Sequence, residues 1–111
     1  MTITTSQQKQ IDSARKKLHD VGVKFVMAQF TDIYGAAKGK NIPLSHLEDI
    51  FSPGAGFAGP SIWGTALPRF GANSEYYGRG DITTLQAMPW LPGYARVVCD
   101  GFVAGEPFDL C

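Results

Sequence analysis

The run Val23-Lys-Phe-Val-Met-Ala-Gln-Phe-Thr-Asp-Ile33 constrains this chain more than any other segment. It is rich in β-branched and aromatic residues and mostly apolar at both parities, and it lies between Gly22 and the turn pair Tyr34-Gly35. Such a strand belongs at the centre of a sheet, or under cover on both faces. The remaining residues must then provide partner strands and a covering layer. Ala36 to Asn41 is short and carries Lys38 and Lys40 on one alternating face, as the returning strand of a hairpin would. Ile42-Pro43 ends it.

The covering layer is predicted upstream. Ile11, Ala14, Leu18 and Val21 recur at spacings of three and four and make one helical stripe. Thr5, with Gln8 three residues on, reads as a capping box. Arg15, Lys16, Lys17 and His19 fall where cations favour the helix dipole, and Gly22 is the stop. Ser45-His-Leu-Glu48 reads as a second capping box, opening a short helix to about Phe51 that Ser52-Pro53-Gly54 terminates. From Pro53 to about Arg79 the chain is rich in glycine and proline without clear periodicity. A loop of that length inside a compact domain is uncommon and usually functional. Asp81 to Gln86 and Ala95 to Asp100 read as two further strands, with Phe102-Val103 extending or pairing around Gly101. Gly105-Glu-Pro-Phe is expected to be extended. The pattern predicts an α+β fold.

With 111 residues the chain is the size of one domain. Ten basic residues balance ten acidic ones, so no general field draws nucleic acid or an anionic membrane. Seven of the ten positive charges (Lys9, Arg15, Lys16, Lys17, Lys24, Lys38 and Lys40) fall in the first forty residues, which reads as a solvated face. No segment approaches the roughly 18 apolar residues that span a bilayer, and the first residues contain no apolar signal core. Cys99 sits in an apolar run and reads as a buried thiol, and Cys111 as a loose terminal one. A reduced, cytoplasmic protein is expected.

Several motifs fail on context. Gly54-Ala-Gly-Phe-Ala-Gly59 spells a dinucleotide fingerprint with Glu75 further on, but neither a preceding strand nor a following amphipathic helix is predicted. A glycine-rich mobile loop is the reading it leaves. Arg79-Gly-Asp81 is read as a turn, and His46 as a surface helix residue. His19 and His46 have no cysteines at ligand spacing, so zinc is not supported. Ser61 has no nearby His-Asp constellation in the sequence and no G-x-S-x-G around it, which argues against a hydrolase nucleophile. Trp63, Phe70, Tyr76 and Tyr77 have only Arg69 and Arg79 as basic neighbours, which favours aromatic packing under a loop or against a partner over stacking on bases.

An ordered series of segments says more. Val23 to Gly35 carries a V-x-F-V…F-x-D-x-x-G pattern, and Lys38 to Pro43 ends in Ile-Pro. Phe57-Ala-Gly-Pro-Ser-Ile62 follows, then Met88-Pro-Trp-Leu-Pro-Gly93 and Ala95-Arg-Val-Val-Cys-Asp100. In this order they resemble the N-terminal domain of the glutamine synthetase family across about residues 10 to 110. The branch most resembled is that of glutamate–methylamine ligases. Ala28 to Ile33, Ser45 to Ile50, Gly54 to Gly59, Ile62 to Thr65 and Pro92 to Gly101 carry that likeness.

The resemblance implies a β-grasp (ubiquitin-like) domain over residues 23–111, preceded by a helix over 1–22. It has a mixed sheet and a long Gly/Pro-rich loop, and the catalytic domain is absent. It further implies packing against the catalytic domains of the chain's own and the neighbouring subunit in a dodecamer. ATP would phosphorylate the glutamate γ-carboxylate, and an amine would attack the acyl phosphate. ATP and Mg2+ or Mn2+ are then expected in the full-length enzyme and none bound by this domain. No catalytic residue or metal ligand is expected here, and the 111-residue chain alone is expected to be inactive.

The family's Phe-Asp-Gly-Ser-Ser-Ile carries an aspartate that helps bind and deprotonate ammonium in ammonia-using relatives, and here that position is Ala58. Its loss leaves room for a methyl group, although a different loop register would account for the same residue. Ala58, Gly59, Ser61 and Trp63 are the expected substrate-side residues, with Ser61 as contact and Trp63 as wall. Two alternatives remain: a free-standing β-grasp binding module, and a γ-glutamyl ligase for another amine such as a polyamine. Against the first, Gly105-Glu-Pro-Phe-Asp-Leu-Cys111 lacks a natural finish, so a fragment is expected.

Overall fold

The computed structural model describes residues 3–108, so the expectation for Cys111 lies outside the described residues. Helix α1 (Thr5–Asp20) is followed by strands β1 (Phe25–Thr31) and β2 (Ala37–Pro43). A 3-10 turn (Leu44–His46) leads into helix α2 (Leu47–Phe51). Strands β3 (Ala55–Ala58), β4 (Glu75–Gly80), β5 (Gln86–Ala87), β6 (Tyr94–Val103) and β7 (Glu106–Pro107) complete the order.

The long strand β6 organises the mixed sheet, whose order is β2-β1-β6-β4-β3. On one edge β6 pairs in parallel with β1, from Phe25↔Tyr94 to Gln29↔Val98, and then antiparallel with β7. Its other edge takes β5 at Ala95 and Arg96, then β4 from Gly80↔Cys99 to Tyr76↔Val103. β2 closes an antiparallel hairpin on β1, and β3 pairs antiparallel with β4. Central placement of the run after Val23 is thus met. Cover on both faces is not: Val26, Ala28 and Phe30 are buried, whereas Phe25 is exposed and Met27 and Gln29 are half-buried. Both edges of β1 are paired, which already satisfies its backbone.

Two helices cover the buried face. Ile11 and Leu18 of α1 and Leu47 and Ile50 of α2 meet Val26, Ala28, Ala95, Val97 and Cys99 in one core. Each large aliphatic side chain buried there contributes about 1.5–3 kcal/mol. Cys99 is a buried thiol, as expected. Val21 is exposed, because the helix ends at Asp20 and Val21, as its C-cap, leaves the 3.6-residue period. The cap lies one residue earlier than expected, on Thr4. Its hydroxyl accepts from the Gln7 amide at 3.1 Å, and the Gln7 side chain accepts from the Thr4 amide at 2.9 Å. The second capping box does not form. Ser45 lies within the 3-10 turn, α2 starts at Leu47 without a side-chain cap, and Glu48 pairs with Arg15 instead.

The stretch from Pro53 to Arg79 is not one loop, since β3 and β4 occupy both its ends. Glycines hid them. At Gly80 an added Cβ would stand 3.0 Å from Ile50, Phe51 and Val97, so α2 packs on bare strand backbone where an apolar side chain would have marked the period. The expected strand at 81–86 is mostly a 3-10 turn (Ile82–Thr84), capped by Asp81, whose carboxylate accepts from the Thr83 amide at 3.0 Å. β6 is longer than expected and absorbs Phe102-Val103.

A second cluster sits at the far end of the buried face. Tyr76 is 1% exposed, with ring centroids 4.7 Å from Phe30 and 6.1 Å from Phe108. Its ring lies across Gly101, where an added Cβ would fall inside the van der Waals envelope of the phenol. Gly101→Ala is therefore expected to destabilise the fold by about 1–3 kcal/mol, read as a lower midpoint in urea denaturation.

Candidate functional site

Residues 58–65 form an exposed turn anchored from beneath. Ala58 ends edge strand β3, and Gly59–Ser61 makes a 3-10 turn in which the Ile62 amide donates to the Gly59 carbonyl at 3.0 Å. Gly59 is buried against Leu67 and the Ser74 carbonyl, with no room for a side chain. Ile62 drops into the cluster of Phe30 and Tyr76. Buried Thr65 has its hydroxyl 2.9 Å from both the Gly59 and Ile62 carbonyls. Three pinned positions leave the others facing out: Ser61 is exposed, and Trp63 is 76% exposed. Of the four expected residues, Ala58, Ser61 and Trp63 share the outer surface of one segment, and Gly59 is its internal pivot. Beside Trp63, Gly64 packs against Ile33 and Tyr34, which are themselves exposed.

Sequence reasoning missed the residues across the ladder. Ala58 pairs directly with Glu75, and Gly56 with Tyr77. Together with Phe57, Pro60, Arg69 and Ser74 they line a groove of about 310 Å³. The Tyr77 hydroxyl donates to Glu75 Oε2 at 2.8 Å. That bond, then partial burial and the carboxylate's charge, raises the Tyr77 pKa above the ordinary tyrosine value. Glu75 and Ala58 are 17 residues apart, and only the register of two strands hidden by glycines brings them together. The edges of the sheet also approach: Lys40 Nζ of β2 donates to the Gly56 carbonyl of β3 at 3.0 Å.

Among the described residues, three of the seven early basic residues form ion pairs. Arg15 pairs with Asp12 and Glu48, Lys16 with Asp20 at 3.5 Å, and Lys38 with Asp32 at 3.8 Å. The exposed Lys16–Asp20 pair contributes little, whereas Lys38 meets the buried carboxylate of Asp32. His19 lies near Asp20 and His46 near Asp49, in separate places. Among the described residues no group of three or more His, Cys, Asp or Glu side chains could hold a metal ion, so these residues do not fit one. Gly54 to Gly59 runs into edge strand β3 and its turn and opens no α-helix that could face a phosphate. No helix among the described residues is long and apolar enough to cross a membrane.

The Tyr77–Glu75 bond exists only while the phenol keeps its proton. Its stabilisation is therefore present below the unfolded tyrosine value of about 10 and is lost as pH rises through the higher folded value. In a spectrophotometric titration Tyr77 is expected to ionise later than free tyrosine. Glu75→Gln should move it back down, and an unchanged curve would contradict the bond.

Comparison with known proteins shows what the chain is similar to. The family model described as "Glutamine synthetase, beta-Grasp domain" matches residues 22–103. The glutamate–methylamine ligase of Methyloversatilis universalis is 43% identical over 96 residues, covering 86% of this chain and 22% of that protein. A glutamine synthetase of Staphylococcus epidermidis is 34% identical over 102 residues, again 22% of its length. Among solved structures, an apo GmaS matches with a TM-score of 0.75 at 28% identity, covering 85% of this chain and 22% of that one. A GmaS–ADP complex matches at 0.73 and 28%, covering 86% and 21%. The chain thus spans about a fifth of the length of these relatives.

Proposed function

The chain belongs to the glutamine synthetase β-grasp domain family, and on that premise we propose that it is the N-terminal domain of a cytoplasmic, ATP-dependent ligase that joins glutamate to ammonia or methylamine. In this reading ATP phosphorylates the glutamate γ-carboxylate. The amine displaces phosphate from the acyl phosphate, leaving a γ-glutamyl amide, ADP and inorganic phosphate. In this reading nucleotide and Mg2+ or Mn2+ are held by the catalytic domain.

The domain's own part is structural, with one surface lent outward. Residues 58–63 reach the active site of a neighbouring subunit within a ring-shaped dodecamer. The observation that supports this most is the anchored turn. Gly59, Ile62 and Thr65 are fixed inside, while Ser61 and Trp63 are exposed among the described residues. Large exposed apolar groups nearby, including Phe70 at 86%, suit a surface that is covered in an assembly. Methylamine is favoured over ammonia by the identity to the ligase of Methyloversatilis universalis and by the small Ala58 side chain.

Two assays test the reading. The 111-residue chain is expected to hydrolyse no ATP in the presence of glutamate and methylamine, whereas the complete polypeptide that contains it is expected to form γ-glutamylmethylamide. Turnover by the short chain would overturn the division of labour. A complete polypeptide that takes putrescine as readily as methylamine would overturn the choice of amine.

A further inference from the structure

Resting on the ligase reading, we infer that Glu75, oriented by Tyr77, binds the amine substrate in its ammonium form. An alkylamine resembles a lysine side chain, whose pKa is about 10.4, so at neutral pH it arrives as a cation. An amine site in the groove beside the exposed turn would then have to hold a small cation carrying a methyl group. Glu75 is the acidic residue among those lining it.

The geometry suits that task. Glu75 stands directly opposite Ala58 on the ladder, where facing Cβ atoms lie about 4.5–5.5 Å apart. The carboxylate is thus set beside a side chain too small to fill the space in front of it. Tyr77 holds one carboxylate oxygen at 2.8 Å and occupies one of about four lone-pair positions, leaving the others to accept from an ammonium group. The Tyr77 ring lies close to Gly56, where an added Cβ would come within 3.5 Å of it, and Phe57 lines the same groove. The Tyr77 face beside the carboxylate can attract an alkylammonium both as a cation and through its methyl group, whereas the Phe57 ring is turned onto Phe30 and Tyr76. Arg69, the other charged residue of the lining, is exposed and forms no ion pair with Glu75 among the described residues, so the carboxylate is not already neutralised. Glu75 is the substrate-binding group here, and Tyr77 is a positioning residue acting through it.

The test uses the complete polypeptide and steady-state kinetics with ATP, glutamate and methylamine. Glu75→Gln is expected to raise the KM for methylamine about tenfold or more, with the KM values for glutamate and ATP within twofold of wild type. Tyr77→Phe should give a smaller rise in the same KM with kcat retained, and Glu75→Asp should recover part of the loss. Glu75 is exposed and Tyr77 half-buried, so the variants should fold, with thermal unfolding lowered by no more than the loss of one exposed hydrogen bond. A methylamine KM within twofold of wild type in Glu75→Gln overturns the assignment, as does a parallel rise in all three KM values. A wild-type polypeptide that forms no γ-glutamyl amide overturns the ligase reading itself, which separates the two failures.

Discussion

Tyr76 lies across the backbone of Gly101, and the end of the domain that carries the exposed turn depends on that contact. β6 separates β1 from β4, so a side chain at position 101 would keep Tyr76 from Phe30. With glycine there the two rings meet at 4.7 Å, and Phe57 closes on Phe30 at 5.0 Å. Ile62 packs into the pocket they form. The exposed turn is therefore held by aromatic packing beneath it, which lets it present Ser61 and Trp63 outward while its backbone remains fixed. An outward-facing segment on a rigid base reaches a partner site with little ordering cost.

The same construction leaves one sheet face uncovered. Phe25 and Tyr94 stack at 5.6 Å, Arg79 sits 4.0 Å over the Phe102 ring, and Val98 is exposed. Glu75 and Tyr77 occupy this face near edge strand β3.

Periodic segments were legible in the sequence, and segments in which glycine replaces an apolar side chain were not. The stripe of Ile11 and Leu18, the hairpin at Tyr34-Gly35 and the strand after Ala95 follow from spacing and composition. β3 and β4 did not, because Gly78 and Gly80 stand where buried side chains would show an alternating period. Both cap errors have local causes. Thr4 and Thr5 are adjacent candidates, and Glu48, which would have closed the second box, is drawn to Arg15. Ala58, Ser61 and Trp63 were singled out through resemblance to a family motif. Glu75 and Tyr77 were not, since their place beside Ala58 depends on strand register, which neither motif nor periodicity reveals.

The central claim is that residues 58–63 serve a neighbouring subunit. The most direct measurement is an electron cryomicroscopy structure of the complete polypeptide with glutamate and a non-hydrolysable nucleotide bound. The account predicts a closed ring in which Ser61 of each subunit lines the glutamate pocket of the next and the groove at Glu75 opens into it. A map in which this turn faces solvent, or a fully active monomer, would contradict it.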